Sequence, residues 1–185
     1  TVAIFTLLVY AAAQWRTALA HSDGLPLAER APMFDALSYE SYLIDRGEEA
    51  LSASSQARAL WNALGDVRRE GDALRWMSRL SWYNGRSAQA EHHADRAIEL
   101  LQTLPPGREL AMAWSNRAQL CMLSGRSAQA QEWGGKALAL AEELGELDIQ
   151  AHALNNLGTA LLNEGDESGR EVLERSLAIA LAADH

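Results

Sequence analysis

The sequence contains the same hexapeptide at two places, 40 residues apart. Gly-Arg-Ser-Ala-Gln-Ala occupies residues 85–90 and recurs unchanged at residues 125–130. Glycines recur near this spacing, and we predict a turn at each of Gly47, Gly85, Gly125 and Gly165. Self-similarity at such a period is typical of repeat proteins, in which units stack because none can bury its apolar face alone.

A second pattern has the same period. Small residues occur in pairs seven positions apart, a spacing that places both on one face of an α-helix. Small side chains on that face allow a neighbouring helix to approach closely. We therefore predict that each unit is a helical hairpin whose second helix, helix B, carries such a pair. The pairs are Ala11/Ala18, Ala50/Ala57, Ala90/Ala97, Ala130/Ala137 and Gly169/Ser176.

Composition supports helices throughout the chain. Ala and Leu supply 63 of the 185 residues, whereas Val, Ile and Thr together supply 14. Because β-sheets favour the β-branched residues, the composition predicts an all-α fold. Together with the repeats it predicts an α-solenoid of about nine helices. The predicted units are residues 1–28 (an incomplete opening repeat, mainly helix B), 29–66, 67–106, 107–146 and 147–185.

Within each unit the order of large and small residues resembles the tetratricopeptide repeat (TPR). The matching positions of the third complete unit are Trp114, Ala118 and Cys121 on its first helix, helix A, and Ala130, Ala137 and Leu138 on helix B. Two positions depart from the pattern. Gly134 stands where an aromatic residue is common, and Gly47 is two residues out of step with Ala50.

A narrower resemblance rests on the long period and on four segments. The chain resembles the TPR-like region of large bacterial LuxR-type transcriptional regulators that carry a signalling ATPase domain. The resemblance implies a non-catalytic, cytoplasmic sensor or scaffold, with the ATPase upstream and a helix-turn-helix DNA reader downstream. The segments are Leu37–Leu43, Trp61–Asp66, Arg75–Leu80 and Leu154–Gly158.

Charge and motifs argue against several other functions. The formal net charge of −9 disfavours binding to nucleic acid or to an anionic membrane by this chain itself. Gly134-Gly135-Lys136 lacks the first glycine and the Ser or Thr of a phosphate-binding loop. The lone Cys121 is interpreted as a packing residue of a protein in a reducing compartment. We expect no enzyme activity, no cofactor and no metal site.

Helix A carries the predicted binding residues. The resemblance implies that the solenoid coils as a right-handed superhelix. TPR solenoids line their concave surface with helix A, and in peptide-binding members an Asn there binds the ligand backbone. The resemblance thus implies a groove for a protein, peptide or small ligand, in which arginines could hold a carboxylate. The alternatives are ordinary solvation of the polar residues and, for Trp76, packing between hairpins. The predicted groove residues are Arg75, Trp76, Arg79, Asn116, Gln119, Asn155, Asn156 and Thr159.

The uncharged segment 1–15 motivates a second function. Gln14 and Arg16 interrupt its apolar character too early for a membrane span, so we expect a buried helix and no membrane contact. The absence of an initiator Met suggests a piece of a longer chain. An end hairpin with apolar surface predicts a structural module instead, one that packs on flanking domains or self-associates through the ends of the solenoid, the apolar N-terminal end in particular.

Overall fold

The computed structural model describes residues 2–183, with side chains from residue 6. Across this range the chain forms nine α-helices and no strand, which confirms the all-α, helical-repeat prediction. Short turns join the helices. The helices are α1 (Val2–Ala20), α2 (Leu27–Leu43), α3 (Gly47–Leu64), α4 (Val67–Tyr83), α5 (Ser87–Leu101), α6 (Arg108–Leu123), α7 (Ser127–Leu144), α8 (Leu147–Asn163) and α9 (Gly169–Ala182).

The chain divides into two compact units, Thr1–Ala97 (unit 1) and Ile98–His185 (unit 2). In unit 1, α1 packs on α2, α2 on α3 and α3 on α4. In unit 2, α6 packs on α7, α7 on α8 and α8 on α9, and the A helices α6 and α8 also touch. The repeat limits given above remain predictions.

The turn between α2 and α3 differs from the prediction at Gly47. Gly85, Gly125 and Gly165 have φ between 73° and 80°, the left-handed region that a turn after helix A requires. In the first repeat Asp45 takes that conformation, with φ 61°. Gly47 is instead the first residue of α3, where a Cβ would lie 2.0 Å from the Asn84 side-chain oxygen. Gly47 therefore packs closely against the Asn84 side chain, and Asp45 restores the 40-residue register.

The small-residue pairs lie in the cores of the units as predicted for α3, α5 and α7. All six of their alanines are fully buried. Gly169 and Ser176 of α9 are buried too. The prediction for α1 is wrong: Ala18 is exposed, and the fully buried small residue of this helix is Ala12. One residue rotates a helix by about 100°, so the packed face of α1 lies one position from the predicted one.

The helix α1 is also more exposed than expected. Leu7 is 67% and Tyr10 is 64% exposed, while Leu8, Val9 and Trp15 pack against the core of unit 1. Among the described residues, no helix combines the length and apolar character that crossing a bilayer requires. One face of α1 is therefore packed and the other presents apolar side chains.

Cys121 occupies the packing position that the repeat pattern predicts. It is fully buried, and it belongs to an apolar cluster with Ala130, Ala160 and the partly buried Trp133. Its thiol lies 3.8 Å from the side-chain oxygen of Gln129. This confirms the interpretation of Cys121 as a core residue of unit 2.

Candidate functional site

Four aromatic rings from α2 and α4 form a continuous cluster in unit 1. The Tyr39 and Trp76 ring centroids are 6.0 Å apart, and those of Trp76 and Tyr42 are 5.1 Å apart in an edge-to-face arrangement. Tyr42 in turn meets Tyr83 edge-to-face at 5.3 Å. We call Tyr39, Trp76, Tyr42 and Tyr83 the aromatic cluster. Edge-to-face contacts of this kind add about 1 kcal/mol per pair beyond area burial.

Helical spacing explains why these rings meet. Tyr39 and Tyr42 are three residues apart on α2, and Trp76 and Tyr83 are seven apart on α4, so each pair shares one helix face. The Trp76 indole N–H donates to the Ser38 hydroxyl at 2.9 Å, and that hydroxyl donates to the Ala50 carbonyl at 2.8 Å. Half-buried Trp76 thus packs between helices and also contributes to the surface.

The two predicted arginines of unit 1 are held by the chain's own groups. The Arg75 Nε donates to Asp72 at 2.7 Å, and its guanidinium lies 5.7 Å from the Trp76 ring centroid. Arg79 donates to the Tyr42 hydroxyl at 3.2 Å and lies 5.7 Å from the centroid of that ring. Because Asp72 already neutralises Arg75, a ligand carboxylate would have to compete with Asp72 for it.

A pocket of about 240 Å³ opens beside one end of the aromatic cluster. Tyr39 and Trp76 form its aromatic side, and buried Ala73 lies among its lining residues. Two carboxylates and two guanidiniums, belonging to Asp35, Asp72, Arg69 and Arg75, complete the lining.

Asp35 is the least solvated acid of this pocket. Its carboxylate accepts a hydrogen bond from the Trp61 indole at 2.9 Å. Burial raises the pKa of Asp35 above its ordinary value, and the negative charge of Asp72 raises it further. The Trp61 hydrogen bond and the positive charge of Arg69 lower the pKa of Asp35, but by less than burial raises it. The positive charge around Asp35 therefore does not fully compensate for its burial.

In unit 2 the two asparagines differ from the prediction of ligand-facing side chains. Asn156 is fully buried and Asn116 is 3% exposed. The Asn156 amide donates to the Ser115 carbonyl at 3.0 Å, across the contact between α8 and α6. Asn156 thus bonds the backbone of the preceding A helix, and in this structure neither asparagine lies on an accessible surface.

The neighbours of these asparagines do reach the surface. Asn155 is exposed, and Gln119 and Thr159 are half-buried. Beside them, the Ser115 hydroxyl and the His152 Nδ1 lie 2.7 Å apart. Binding by these residues remains a prediction, as does one continuous stripe along all A helices.

Sequence reasoning missed Tyr39, Tyr42 and Tyr83, as well as the two pocket carboxylates. It compared positions at a 40-residue offset, where Tyr39 and Tyr83 have no aromatic counterpart, and it did not use the one match, between Tyr42 and Trp82. The signal that could have revealed them was the three-residue spacing of the tyrosines on α2.

Comparisons with known proteins return structures but no sequence relatives. No family model matches the sequence, and no curated protein matches it. BtubC (BKLC) from P. vanneervenii superposes with a TM-score of 0.77 at 18% identity, over 96% of this chain and 74% of BtubC. A Podosopora anserina kinesin light chain-like protein with nearly identical TPR-like repeats superposes with a TM-score of 0.68 at 15% identity, over 95% of this chain and 88% of that protein.

The fold is TPR-like. A Rap protein complexed with Competence and Sporulation Factor also superposes, with a TM-score of 0.72 at 15% identity. That match covers 97% of this chain and 55% of the Rap chain. At these identities the likeness concerns the fold, so function has to be argued from the surface of this chain.

Proposed function

We propose that this TPR-like chain is a non-catalytic interaction module that binds a protein or peptide through the A helices of unit 1. The observation that carries the proposal is the exposed aromatic surface around the aromatic cluster. Tyr39 is 52%, Tyr83 44% and Trp82 42% exposed. Grouped, exposed rings of this kind mark interaction surfaces, and the few residues that dominate binding energy at protein interfaces are enriched in Trp, Tyr and Arg.

One structural neighbour supports the class of partner. The Rap protein was crystallised with Competence and Sporulation Factor, so a chain of this fold binds such a factor. Its 15% identity gives no residue-level correspondence. Transfer of a binding role to this chain is therefore part of the proposal.

We propose further that the module is the sensor or scaffold segment of a bacterial, cytoplasmic LuxR-type regulator. This part rests on the sequence resemblance in segments such as Trp61–Asp66 and Leu154–Gly158. The three neighbours named above do not bear on it. Any DNA reader would belong to another part of such a protein, in keeping with the charge of −9.

Arg79→Gln tests the surface. Peptides would be selected from a displayed random library on the full chain, and their dissociation constants measured by fluorescence anisotropy. We expect Arg79→Gln to weaken binding about tenfold, because Arg79 packs on the Tyr42 ring beside the exposed aromatics. The control is Arg170→Gln on α9, whose side chain is 72% exposed. Equal affinities for both variants would contradict binding at this surface.

The alternative is a structural module that self-associates. Leu7 and Tyr10 on α1 and Leu177 and Leu181 on α9 are each at least 60% exposed. If these faces pair between copies, sedimentation velocity will show a mass that rises with concentration. Leu7→Glu or Leu181→Glu would then restore the monomer, because a charge cannot be buried there without a partner. A monomer at all concentrations would exclude this alternative.

A further inference from the structure

The aromatic cluster has already used most of its polar atoms within the chain. The Trp76 indole donates to Ser38, and the Tyr42 hydroxyl accepts from Arg79. The Tyr83 hydroxyl donates to Asp45 at 2.6 Å. What these three residues present to a ligand is therefore chiefly ring faces and edges. The hydrogen-bonding capacity of the aromatic cluster that remains belongs to the exposed Tyr39 hydroxyl and to the second bonds that the Tyr42 and Tyr83 hydroxyls can make.

Such a surface favours a peptide with few backbone N–H groups. An N–H that loses water and finds no acceptor costs about 1–3 kcal/mol. Proline has no N–H and packs its ring on aromatic faces, and a proline-rich segment is extended before it binds, so little conformational entropy is lost. Aromatic-lined grooves that bind polyproline II segments use this combination.

The spacing of the rings suits this conformation. Successive centroids along the aromatic cluster are 6.0, 5.1 and 5.3 Å apart. A polyproline II helix rises about 3.1 Å per residue, so each ring-to-ring step spans about two residues. Trp76 and Tyr83 are seven residues apart on α4, about 10.5 Å along the helix axis, so the cluster accommodates about three to four residues of such a segment.

The pocket at the Tyr39 end selects the flanking residue. At about 240 Å³ it is smaller than the roughly 300–1,000 Å³ of pockets for drug-sized ligands, so it suits a single side chain. Asp35, half-buried and incompletely compensated, lies in its wall beside the rings of Tyr39 and Trp76. A cation gains from both a carboxylate and aromatic faces. Arg75 already pairs with Asp72, and Arg69 acts on Asp35 through its charge without a hydrogen bond, so Asp35 is the carboxylate that an incoming cation can pair with.

We propose that the aromatic cluster binds an extended, proline-rich peptide whose flanking Arg or Lys enters the Asp35 pocket. The inference rests on the proposed interaction function and names its class of ligand. It differs from the earlier expectation of a ligand carboxylate held by Arg75. The chain's own Asp72 already fills that role.

Three labelled peptides test this on the full chain by fluorescence anisotropy: repeated Pro-Pro-Ala with a terminal Arg, the same peptide with Gly for each Pro, and the same with Glu for Arg. We expect the first to bind about tenfold more tightly than either of the others. Tyr39→Ala should weaken its binding about tenfold, whereas Tyr10→Ala, which removes a 64% exposed tyrosine from α1, should leave it unchanged.

Asp35→Asn should abolish the preference for Arg over Glu while leaving the preference for proline. Because Asp35 also accepts a hydrogen bond from Trp61, the thermal unfolding of Asp35→Asn is measured alongside its binding. Asp72→Asn serves as a second variant. Asp72→Asn releases Arg75 from its ion pair and should shift the preference toward the Glu peptide.

Equal binding of the Pro and Gly peptides, or no loss in Tyr39→Ala, overturns the inference. So does failure of all three peptides to bind. In each of these cases the proposed interaction function is judged separately, by whether the displayed library yields peptides whose binding depends on Arg79.

Discussion

Asn156→Asp is expected to lower the free energy of unfolding by about 3 kcal/mol or more at neutral pH. Asn156 is fully buried, and its amide donates to the Ser115 carbonyl at 3.0 Å. Aspartate has the same shape but sets an ionised oxygen against that carbonyl oxygen. Urea unfolding followed by circular dichroism measures the loss.

The adjacent Asn155 supplies a matched control. It is exposed, so Asn155→Asp should change stability by no more than about 0.5 kcal/mol. The pH dependence has a definite sign. Burial raises the folded-state pKa of a new carboxyl at position 156, so the deficit is full above that pKa and shrinks as the pH falls through it. A protonated Asp can again donate to Ser115. Equal effects of the two variants would contradict the buried position of Asn156.

Gly158→Ala is expected to destabilise the fold by about 2 kcal/mol, although alanine is the better helix former by about 1 kcal/mol. Gly158 lies within α8, where α9 crosses it. A Cβ there would lie 2.7 Å from the Gly169 carbonyl oxygen and 2.8 Å from the Leu173 Cγ. A backbone atom cannot move aside as a side chain can, so α9 must shift. Thermal unfolding measures the effect.

Gly135→Ala is the control for that experiment. Gly135 lies within α7 with nothing within 4 Å of the added carbon. Helix propensity then acts alone, and the substitution should stabilise the protein by about 0.5–1 kcal/mol. Opposite signs for two Gly→Ala changes in helices support the close α8–α9 crossing. An increase in stability in both variants would contradict that close crossing.

Helix B was predictable because its constraint is local and severe. Small residues seven apart mark a packed face whichever helix covers it, and the alanines of α3, α5 and α7 are buried accordingly. Gly134 follows the same logic. A Cβ at Gly134 would lie 2.8 Å from the Leu157 Cγ. The turns followed from the glycine register except where Asp45 adopts the left-handed conformation.

The candidate site was less predictable because its geometry depends on helix rotation and on distant residues. Neighbouring helix positions point about 100° apart, so a register that aligns Asn155 and Asn156 does not tell which one faces solvent. The Trp76 ring meets Tyr39 and Tyr42, which precede it by more than 30 residues on another helix. Only the stacking of α4 on the first hairpin brings these rings together.

The six tryptophans provide the most direct test of the central claim, that the A-helix surface of unit 1 binds the partner. Their indole N–H resonances can be followed by two-dimensional NMR while a library-selected peptide is titrated into the full chain. We predict that the resonances of Trp76 and Trp82 shift during the titration and yield the same dissociation constant, while the resonance of Trp133 in unit 2 does not shift. Shifts at Trp133 with Trp76 and Trp82 unmoved would contradict the account.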